Sequence, residues 1–215
     1  MKFALFFILL NSYFVYLNLM LAGYFQLLLT WININLMIMA IAYLLNYPNL
    51  VLGKKKNGSI NPILLFLNLP WLLLTWIIFK LQILFSKENF ADQIGETNFW
   101  ISRRPTSVES LEKFELVIDL TAEFFKDKTN NYLCYPNLDG YSLKNLPDII
   151  DFHSDKKTLI HCANGHGRSA LFTAILLSEM KVTKNIQESL GLISKSRLLA
   201  TPNRSQNNWI KKRNN

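Results

Sequence analysis

Residues 161–169, His-Cys-Ala-Asn-Gly-His-Gly-Arg-Ser, combine a cysteine with an arginine six positions later and two glycines between them. A short apolar run, Thr158–Ile160, precedes this stretch, and the apolar residues 170–177 that follow it predict a buried helix. A strand, a glycine-bearing loop and a helix in this order build an anion cradle, because loop N–H groups converge there and the helix N-terminus adds its positive dipole end. Such a setting favours the thiolate form of Cys162, which is the nucleophilic form of a cysteine.

The spacing of the loop residues suits an anion with the shape of phosphate. The backbone amides of residues 163–168 can surround the phosphate oxygens only if the chain bends tightly, which Gly165 and Gly167 allow. Arg168 then closes the cradle with a planar guanidinium suited to bidentate phosphate binding. The residues predicted to bind phosphate beside Arg168 are Ala163, Asn164, Gly165, His166, Gly167 and Ser169.

Two residues of the stretch have predicted supporting roles. Ser169 can hydrogen-bond the sulfur of Cys162, the predicted nucleophile, and help it to depart as a thiolate. His161 is predicted to point away from the anion and to hold the loop backbone by hydrogen bonding. His166 lies inside the loop, where contact with an acidic substrate and exposure to solvent are equally open.

Cleavage of a phosphate ester also needs a proton donor for the departing oxygen. Asp139 is the predicted donor, because it follows a predicted strand and precedes Gly140, which places it on a turn able to close over the pocket. A plain turn is the alternative for Asp139. The rival acids Asp148, Asp151 and Asp155 fall on a predicted helix or just after it, where helix-dipole or solvated-surface roles explain them.

The pattern His161-Cys162-x-x-Gly165-x-x-Arg168-Ser169 resembles the signature of the protein tyrosine phosphatase superfamily. The resemblance implies a phosphocysteine intermediate on Cys162, phosphate binding by Arg168 and general-acid catalysis by Asp139, without a cofactor or a metal ion. In this chain the aspartate precedes the cysteine, and this order is similar to that of the dual-specificity branch. Low-molecular-weight phosphatases and arsenate reductases place the aspartate after the cysteine. Residues 100–105 and 117–124 look like the first half of bacterial membrane-anchored phosphatases of this branch.

Metal binding and disulfide formation are less favoured roles for the cysteines and histidines of the chain. A zinc site at His161, Cys162 and His166 is disfavoured, because no second Cys/His pair lies nearby. Cys134 is expected to pack in the core, and a disulfide with Cys162 is the less favoured alternative. The segment 201–206 lies where the family carries a border of the site, so Asn203 and Gln206 are weak candidates for orienting water.

The positive charge of the chain is concentrated in its N-terminal part. The 215 residues carry a formal net charge of +8, yet all 15 acidic residues lie at or after Glu88, while residues 1–87 hold six basic side chains. This distribution places the excess charge beside apolar segments and argues against a nucleic-acid-binding face.

The composition of residues 1–87 predicts a membrane anchor. No Asp, Glu, Lys or Arg occurs from Phe3 to Gly53, and a 51-residue uncharged run can cross a hydrocarbon layer of about 30 Å twice. We predict spans near residues 3–22 and 25–47. A cleaved signal peptide is disfavoured, because no small-x-small cleavage site follows the first apolar core.

A third apolar stretch, near residues 60–86, is either a third span or an interfacial helix. Pro62 and Pro70 interrupt it, and its tryptophans are residues that settle at the membrane interface. The positive-inside rule places the lysines 54–56 in the cytoplasm, so two spans leave the following domain cytoplasmic and three put it outside. We favour two spans in a multi-pass protein, with residues 1–87 as the anchor and residues 88–215 as a cytoplasmic catalytic domain.

Strands and helices are predicted to alternate in residues 88–215. Strands are predicted near 99–101, 116–120, 132–135 and 158–160, and helices near 107–114, 143–152, 169–180, 184–195 and 205–213. This order predicts an α/β domain with a mostly parallel sheet and helices on both faces. The resemblance implies the three-layer domain of dual-specificity phosphatases, preceded here by transmembrane helices.

The sequence therefore predicts a membrane-anchored, cysteine-dependent phosphomonoesterase of the tyrosine or dual-specificity protein phosphatase type. The alternative is a phospholipid phosphatase acting on a phosphoinositide or on phosphatidylglycerophosphate. A less favoured alternative is an inactive phosphate-binding membrane adaptor, because such adaptors usually lose the cysteine, the arginine or the acid. The expected partners are the membrane and a phosphorylated protein or phospholipid.

Overall fold

The structure, a computed structural model, describes residues 2–146 and 155–213. The chain divides into two compact units. The first unit contains Met1–Lys54, Ser59–Phe85 and Ala122–Phe125, and the second contains Lys55–Gly58, Ser86–Thr121 and Lys126–Asn215.

The first unit is helical. Its helices are α1 (Lys2–Met20), α2 (Tyr24–Leu44), α3 (Asn49–Leu52) and α4 (Pro62–Phe85). In the part of the chain that the structure describes, α1, α2 and α4 are long and apolar enough to cross a membrane. The third apolar stretch thus forms one continuous helix of 24 residues, with Pro70 inside it.

Contacts from α2 compensate the loss of a backbone hydrogen bond at Pro70. A proline within a helix has no N–H to donate to the carbonyl four residues earlier, which is that of Phe66. The indole Nε1 of Trp31 donates to this carbonyl oxygen at 3.0 Å instead. In a hydrocarbon layer this replacement hydrogen bond stabilises the helix, because no water is present there to bond an unsatisfied carbonyl.

Two buried asparagines add a polar contact between α2 and α4. The Asn35 side-chain amide donates to Oδ1 of Asn68 at 2.9 Å. Nδ2 of Asn68 donates in turn to the carbonyls of Leu50 and Val51 at 2.8 and 2.9 Å. The backbone N–H of Trp71 donates to Oδ1 of Asn35 at 3.1 Å. The pair therefore satisfies polar groups of three helices inside an apolar bundle.

The second unit contains five strands in its described residues: β1 (Ala91–Gln93), β2 (Phe99–Ser102), β3 (Leu116–Thr121), β4 (Tyr132–Asn137) and β5 (Thr158–His161). They form one sheet in the order β1-β2-β5-β3-β4, in which β2, β5, β3 and β4 are parallel and β1 is an antiparallel edge strand. The helices α5 (Gly167–Glu179), α6 (Ile186–Ser196) and α7 (Arg204–Arg213) follow β5 in the chain.

Alternate strand residues serve two different cores, as expected for a sheet covered on both faces. Ile118 and Ile160 belong to the larger cluster, which includes apolar residues of α5, α6 and α7. Their strand neighbours Val117 and Leu159 belong to a smaller cluster with Phe114. The predicted α/β class, a mostly parallel sheet flanked by helices, is confirmed.

Some local predictions were wrong. Residues 107–114 form turns in place of a helix, and from these turns Leu111 and Phe114 enter the smaller core cluster. The edge strand β1 was missed, because its three residues carry no apolar alternation. A helix is predicted at 143–152. Residues 143–146 are not helical, and residues 147–152 lie outside the described residues.

Candidate active site

The cysteine loop lies at the carboxyl end of the central strand β5. His161 ends β5 and is in register with Ser102 at the end of β2 and with Asp119 in β3. Residues 162–166 form the loop, and α5 begins at Gly167. In parallel sheets ligands bind at this end of the strands, where the N–H groups of the helix N-terminus also point.

Gly165 is required by the close approach of the loop to β2. Its φ is +74°, a left-handed conformation that favours glycine. A Cβ at this position would lie 2.5 Å from the carbonyl carbon of Ser102 and 2.7 Å from the backbone nitrogen of Arg103. The N–H of Arg104 donates to the carbonyl of Ala163 at 2.8 Å. The loop therefore rests directly on the backbone that follows β2.

Cys162 and Arg168 are both buried at the base of the loop. Cys162 is 3% exposed, and its Sγ lies 3.4 Å from Oγ of Ser169, the partner predicted for the sulfur. Arg168 is 1% exposed, and its Nη1 donates to the carbonyl of Asn137 at 2.9 Å. The guanidinium is thereby oriented by the end of β4, a contact that nothing in the local sequence indicates.

Asp139 lies beside Arg168. Its Oδ1 is 3.3 Å from Nε of Arg168, and its side chain is 72% exposed. Asn137 shapes the segment that carries the acid, since its buried Oδ1 accepts from the N–H groups of Lys144 and Asn145 at 2.7 and 3.0 Å. The structure thus brings the predicted acid, arginine and cysteine into one region, and Asn137 is a supporting residue that sequence reasoning missed.

His161 belongs to a buried network beneath the loop. Its Nε2 lies 2.8 Å from Oδ2 of Asp127, and its Nδ1 lies 3.3 Å from the carbonyl oxygen of Cys162. Burial lowers the pKa of His161, but the carboxylates of Asp127 and Asp119 outweigh it, so the pKa is raised above its ordinary value. The imidazole thus lies between the Asp127 carboxylate and the backbone of the loop.

The same network balances its own charges. Arg104 pairs with Oδ1 of Asp127 at 3.2 Å, and the hydroxyl of Tyr132 donates to Oδ2 of Asp119 at 2.6 Å. The histidine and the two aspartates offer ligand-type atoms within 4.8 Å of one another. Nε2 of His161 and Oδ2 of Asp127 are 2.8 Å apart, which is a direct hydrogen-bonding distance. Arg104 already supplies, beside Asp127, the positive charge that a bound cation would bring.

The outer part of the loop is held by ionic contacts. Nε2 of His166 lies 2.7 Å from Oε2 of Glu88, so this histidine is paired within its own domain. Arg197 pairs with Asp92 at 2.6 Å, and its Nη2 donates to the carbonyl of Asn164 at 3.3 Å. Glu88 and Arg197 lie far from the loop in sequence, so only their place in the fold reveals the contact.

The remaining candidates lie elsewhere. Cys134 and Cys162 are free cysteines in different core clusters, so no disulfide joins them. Asp155 precedes the amino end of β5, whereas the cysteine follows its carboxyl end. Asp148 and Asp151 lie outside the described residues.

No protein-family model and no curated protein matches the chain. Among solved structures, the active form of Tk-PTP has a TM-score of 0.46 and 21% identity, covering 57% of this chain and 95% of its own. Human DUSP28 has a TM-score of 0.45 and 12% identity, covering 58% and 93%. PTPMT1 in complex with PI(5)P has a TM-score of 0.44 and 16% identity, covering 58% and 94%. The names of these neighbours are those of tyrosine and dual-specificity phosphatases.

Proposed function

We propose that the chain is a membrane-anchored, cysteine-dependent phosphomonoesterase of the tyrosine or dual-specificity type. The observation that carries the proposal is the position of Cys162 in the loop before α5, with its Sγ 3.4 Å from Oγ of Ser169, and of Asp139 beside the buried Arg168. A nucleophile, an anion-binding group and an acid in one region are what transfer of a phosphoryl group to sulfur requires.

The reaction takes two steps. The Cys162 thiolate attacks phosphorus, an S–P bond forms, and the ester P–O bond breaks as Asp139 gives its proton to the departing oxygen. Arg168 and the loop amides stabilise the charge on the other phosphate oxygens. Water then attacks phosphorus and loses its proton to Asp139, and the S–P bond breaks as Ser169 donates to the leaving sulfur.

Residues 1–87 form the proposed membrane anchor, and residues 88–215 the proposed catalytic domain. The helices α1, α2 and α4 support the anchor by their length and composition. The lysines 54–56 support a cytoplasmic catalytic domain if α1 and α2 are the spans. A reporter fused to the C-terminus, active only on one side of the membrane, tests this orientation.

A phospholipid is the second candidate substrate. The observation that favours it is the presence of membrane-length helices in the same chain as the proposed site. Comparing phosphopeptides with phosphoinositides and phosphatidylglycerophosphate in mixed micelles distinguishes the two substrate classes by their kcat/KM.

The full chain in detergent micelles provides the test of the chemistry. We expect hydrolysis of a nitrophenyl phosphate by the native chain, inhibition by vanadate and no effect of EDTA. Cys162→Ser should reduce turnover to the background, because a hydroxyl is a far weaker nucleophile than a thiolate at neutral pH.

Cys134→Ser is the matched control. It removes the other cysteine, which is buried in the smaller core cluster, and should leave turnover close to that of the native chain. Turnover by Cys162→Ser that depends on a metal ion would refute the mechanism.

A further inference from the structure

Asn203 and Gln206 form a reciprocal pair at the start of α7. The N–H of Asn203 donates to Oε1 of Gln206 at 2.9 Å, and the N–H of Gln206 donates to Oδ1 of Asn203 at 3.0 Å. This arrangement is a capping box, in which the residue before the helix and the residue three positions later satisfy each other's backbone donors.

The amide nitrogens of both side chains are directed at the segment that carries the acid. Nδ2 of Asn203 donates to the carbonyl of Gly140 at 3.0 Å, and Nε2 of Gln206 donates to the carbonyl of Tyr141 at 3.0 Å. Gly140 directly follows Asp139 and has a φ of +71°. The capping box thus holds the backbone immediately after the acid in the turn that presents it.

Gln206 also lies against the cysteine loop. A Cβ on Gly167 would lie 2.7 Å from Oε1 and 3.3 Å from Nε2 of Gln206, so the amide packs directly on this glycine. Gln206 is fully buried, and both of its amide atoms have protein partners. A side chain in this position bridges two loops and is poorly placed to orient a nucleophilic water.

We propose that Gln206, supported by Asn203, is a positioning residue for the general acid. It joins the backbone of Tyr141 to the start of α5 at Gly167 and thereby holds Asp139 beside Arg168. This inference rests on the proposed function, because it concerns the proton that Asp139 supplies to the departing oxygen.

The test uses the dependence of rate on the leaving group. Gln206→Leu keeps the volume but removes both amide atoms, and should lower kcat/KM for an alkyl phosphate by about tenfold or more, since general-acid catalysis contributes about 10²–10⁴-fold. For nitrophenyl phosphate, whose leaving group needs little protonation, the loss should be below about threefold. Asn208→Leu, on the same helix with an exposed side chain, is the matched control and should change neither rate.

Two further measurements separate the positioning role from other roles. In the background of Asp139→Asn, Gln206→Leu should cause little additional loss, because both changes remove the same contribution. Equal losses for both substrates would indicate a general structural role and overturn the inference. A nitrophenol burst whose slow phase is slower in the double variant than in Asp139→Asn alone would indicate a role in water attack that does not pass through Asp139, and would also overturn the inference.

The outcome for Gln206 is distinguishable from failure of the proposed function. The latter is decided by Cys162→Ser and vanadate with nitrophenyl phosphate, neither of which involves the acid segment. An alkyl-phosphate rate unchanged in Gln206→Leu, with Cys162→Ser inactive, overturns the positioning role alone.

Discussion

Oδ1 of Asp139 lies 3.3 Å from Nε of Arg168. The contact joins the group proposed to protonate the leaving oxygen to the group proposed to bind phosphate. The arginine is buried and anchored to the carbonyl of Asn137, whereas the aspartate side chain is largely exposed. The carboxyl group can therefore turn toward a bound substrate while its backbone stays in place.

Replacing the acid should affect poor leaving groups most. We expect Asp139→Asn to lower kcat for an alkyl phosphate by about 10²–10⁴-fold, the usual contribution of a general acid, with a smaller loss for nitrophenyl phosphate. The measurement is steady-state hydrolysis of both esters over a range of pH. Asp155→Asn, at an exposed position before β5, is the control. Equal rates for Asp139→Asn and the native chain would remove Asp139 from the mechanism.

A methyl group at Gly165 should disrupt the cysteine loop. Gly165→Ala forces a left-handed backbone on alanine and places Cβ 2.5 Å from the carbonyl carbon of Ser102, at a cost of about 1–3 kcal/mol for the conformation alone. We expect a lower free energy of unfolding and a loss of turnover. Gly191→Ala is the matched control, because nothing lies within 4 Å of its added Cβ. A fully active Gly165→Ala enzyme would contradict the tight packing of the loop on β2.

The charged state of His161 should make stability depend on pH. Its pKa is raised in the folded chain, because Asp127 and Asp119 outweigh the opposing effect of burial. Stability from this group is therefore fully present below the unfolded pKa of about 6.5 and is lost as pH rises through the folded pKa. Thermal unfolding of the full chain in micelles from pH 6 to pH 9 should show a falling midpoint.

Variants identify the residue responsible for this slope. Asp127→Asn removes the stronger of the two carboxylate attractions that raise the pKa of His161. It should therefore reduce the decline in the unfolding midpoint between pH 6 and pH 9. His166→Asn is the control, because its partner Glu88 lies in a partly exposed contact. An unchanged slope in Asp127→Asn would show that another group titrates in this range.

The buried asparagine pair should stabilise the helical unit. Asn68→Leu removes the donor for the carbonyls of Leu50 and Val51 and the acceptor for Asn35, and should lower the free energy of unfolding by about 1–2 kcal/mol. Denaturant titration of the full chain in micelles measures this change. Ser12→Ala removes only an exposed bond to its own helix and should cost much less. An equal effect of the two substitutions would argue against the pair as an interhelical contact.

Much of the fold could be predicted because its signals are local in the chain. Buried parallel strands appear as short apolar runs, so Leu116–Leu120 and Thr158–Ile160 were assigned close to their observed bounds. The helix predicted at 107–114 does not form, and the reason is tertiary. Leu111 and Phe114 enter the smaller core cluster from turns and join Val117 and Leu159 there.

The nature of the candidate site was determined by the sequence, because its cysteine, glycines and arginine all lie within residues 161–169. The backbone geometry of a strand, a tight loop and a helix already sets how such residues face an anion. Asp139 is predicted as the acid from its position after a strand and before a glycine, and this role stays a proposal.

Only the tertiary structure decided what supports these residues. Asp127 reaches His161 and pairs with Arg104, Glu88 reaches His166, and Gln206 reaches Tyr141 through contacts between segments far apart in the chain. Single polar residues in loops carry no periodic pattern, so their partners cannot be inferred before the register of the sheet and the packing of α7 are known. The residue types of the proposed cysteine chemistry lie in one short segment, whereas their positioning depends on contacts from the rest of the domain.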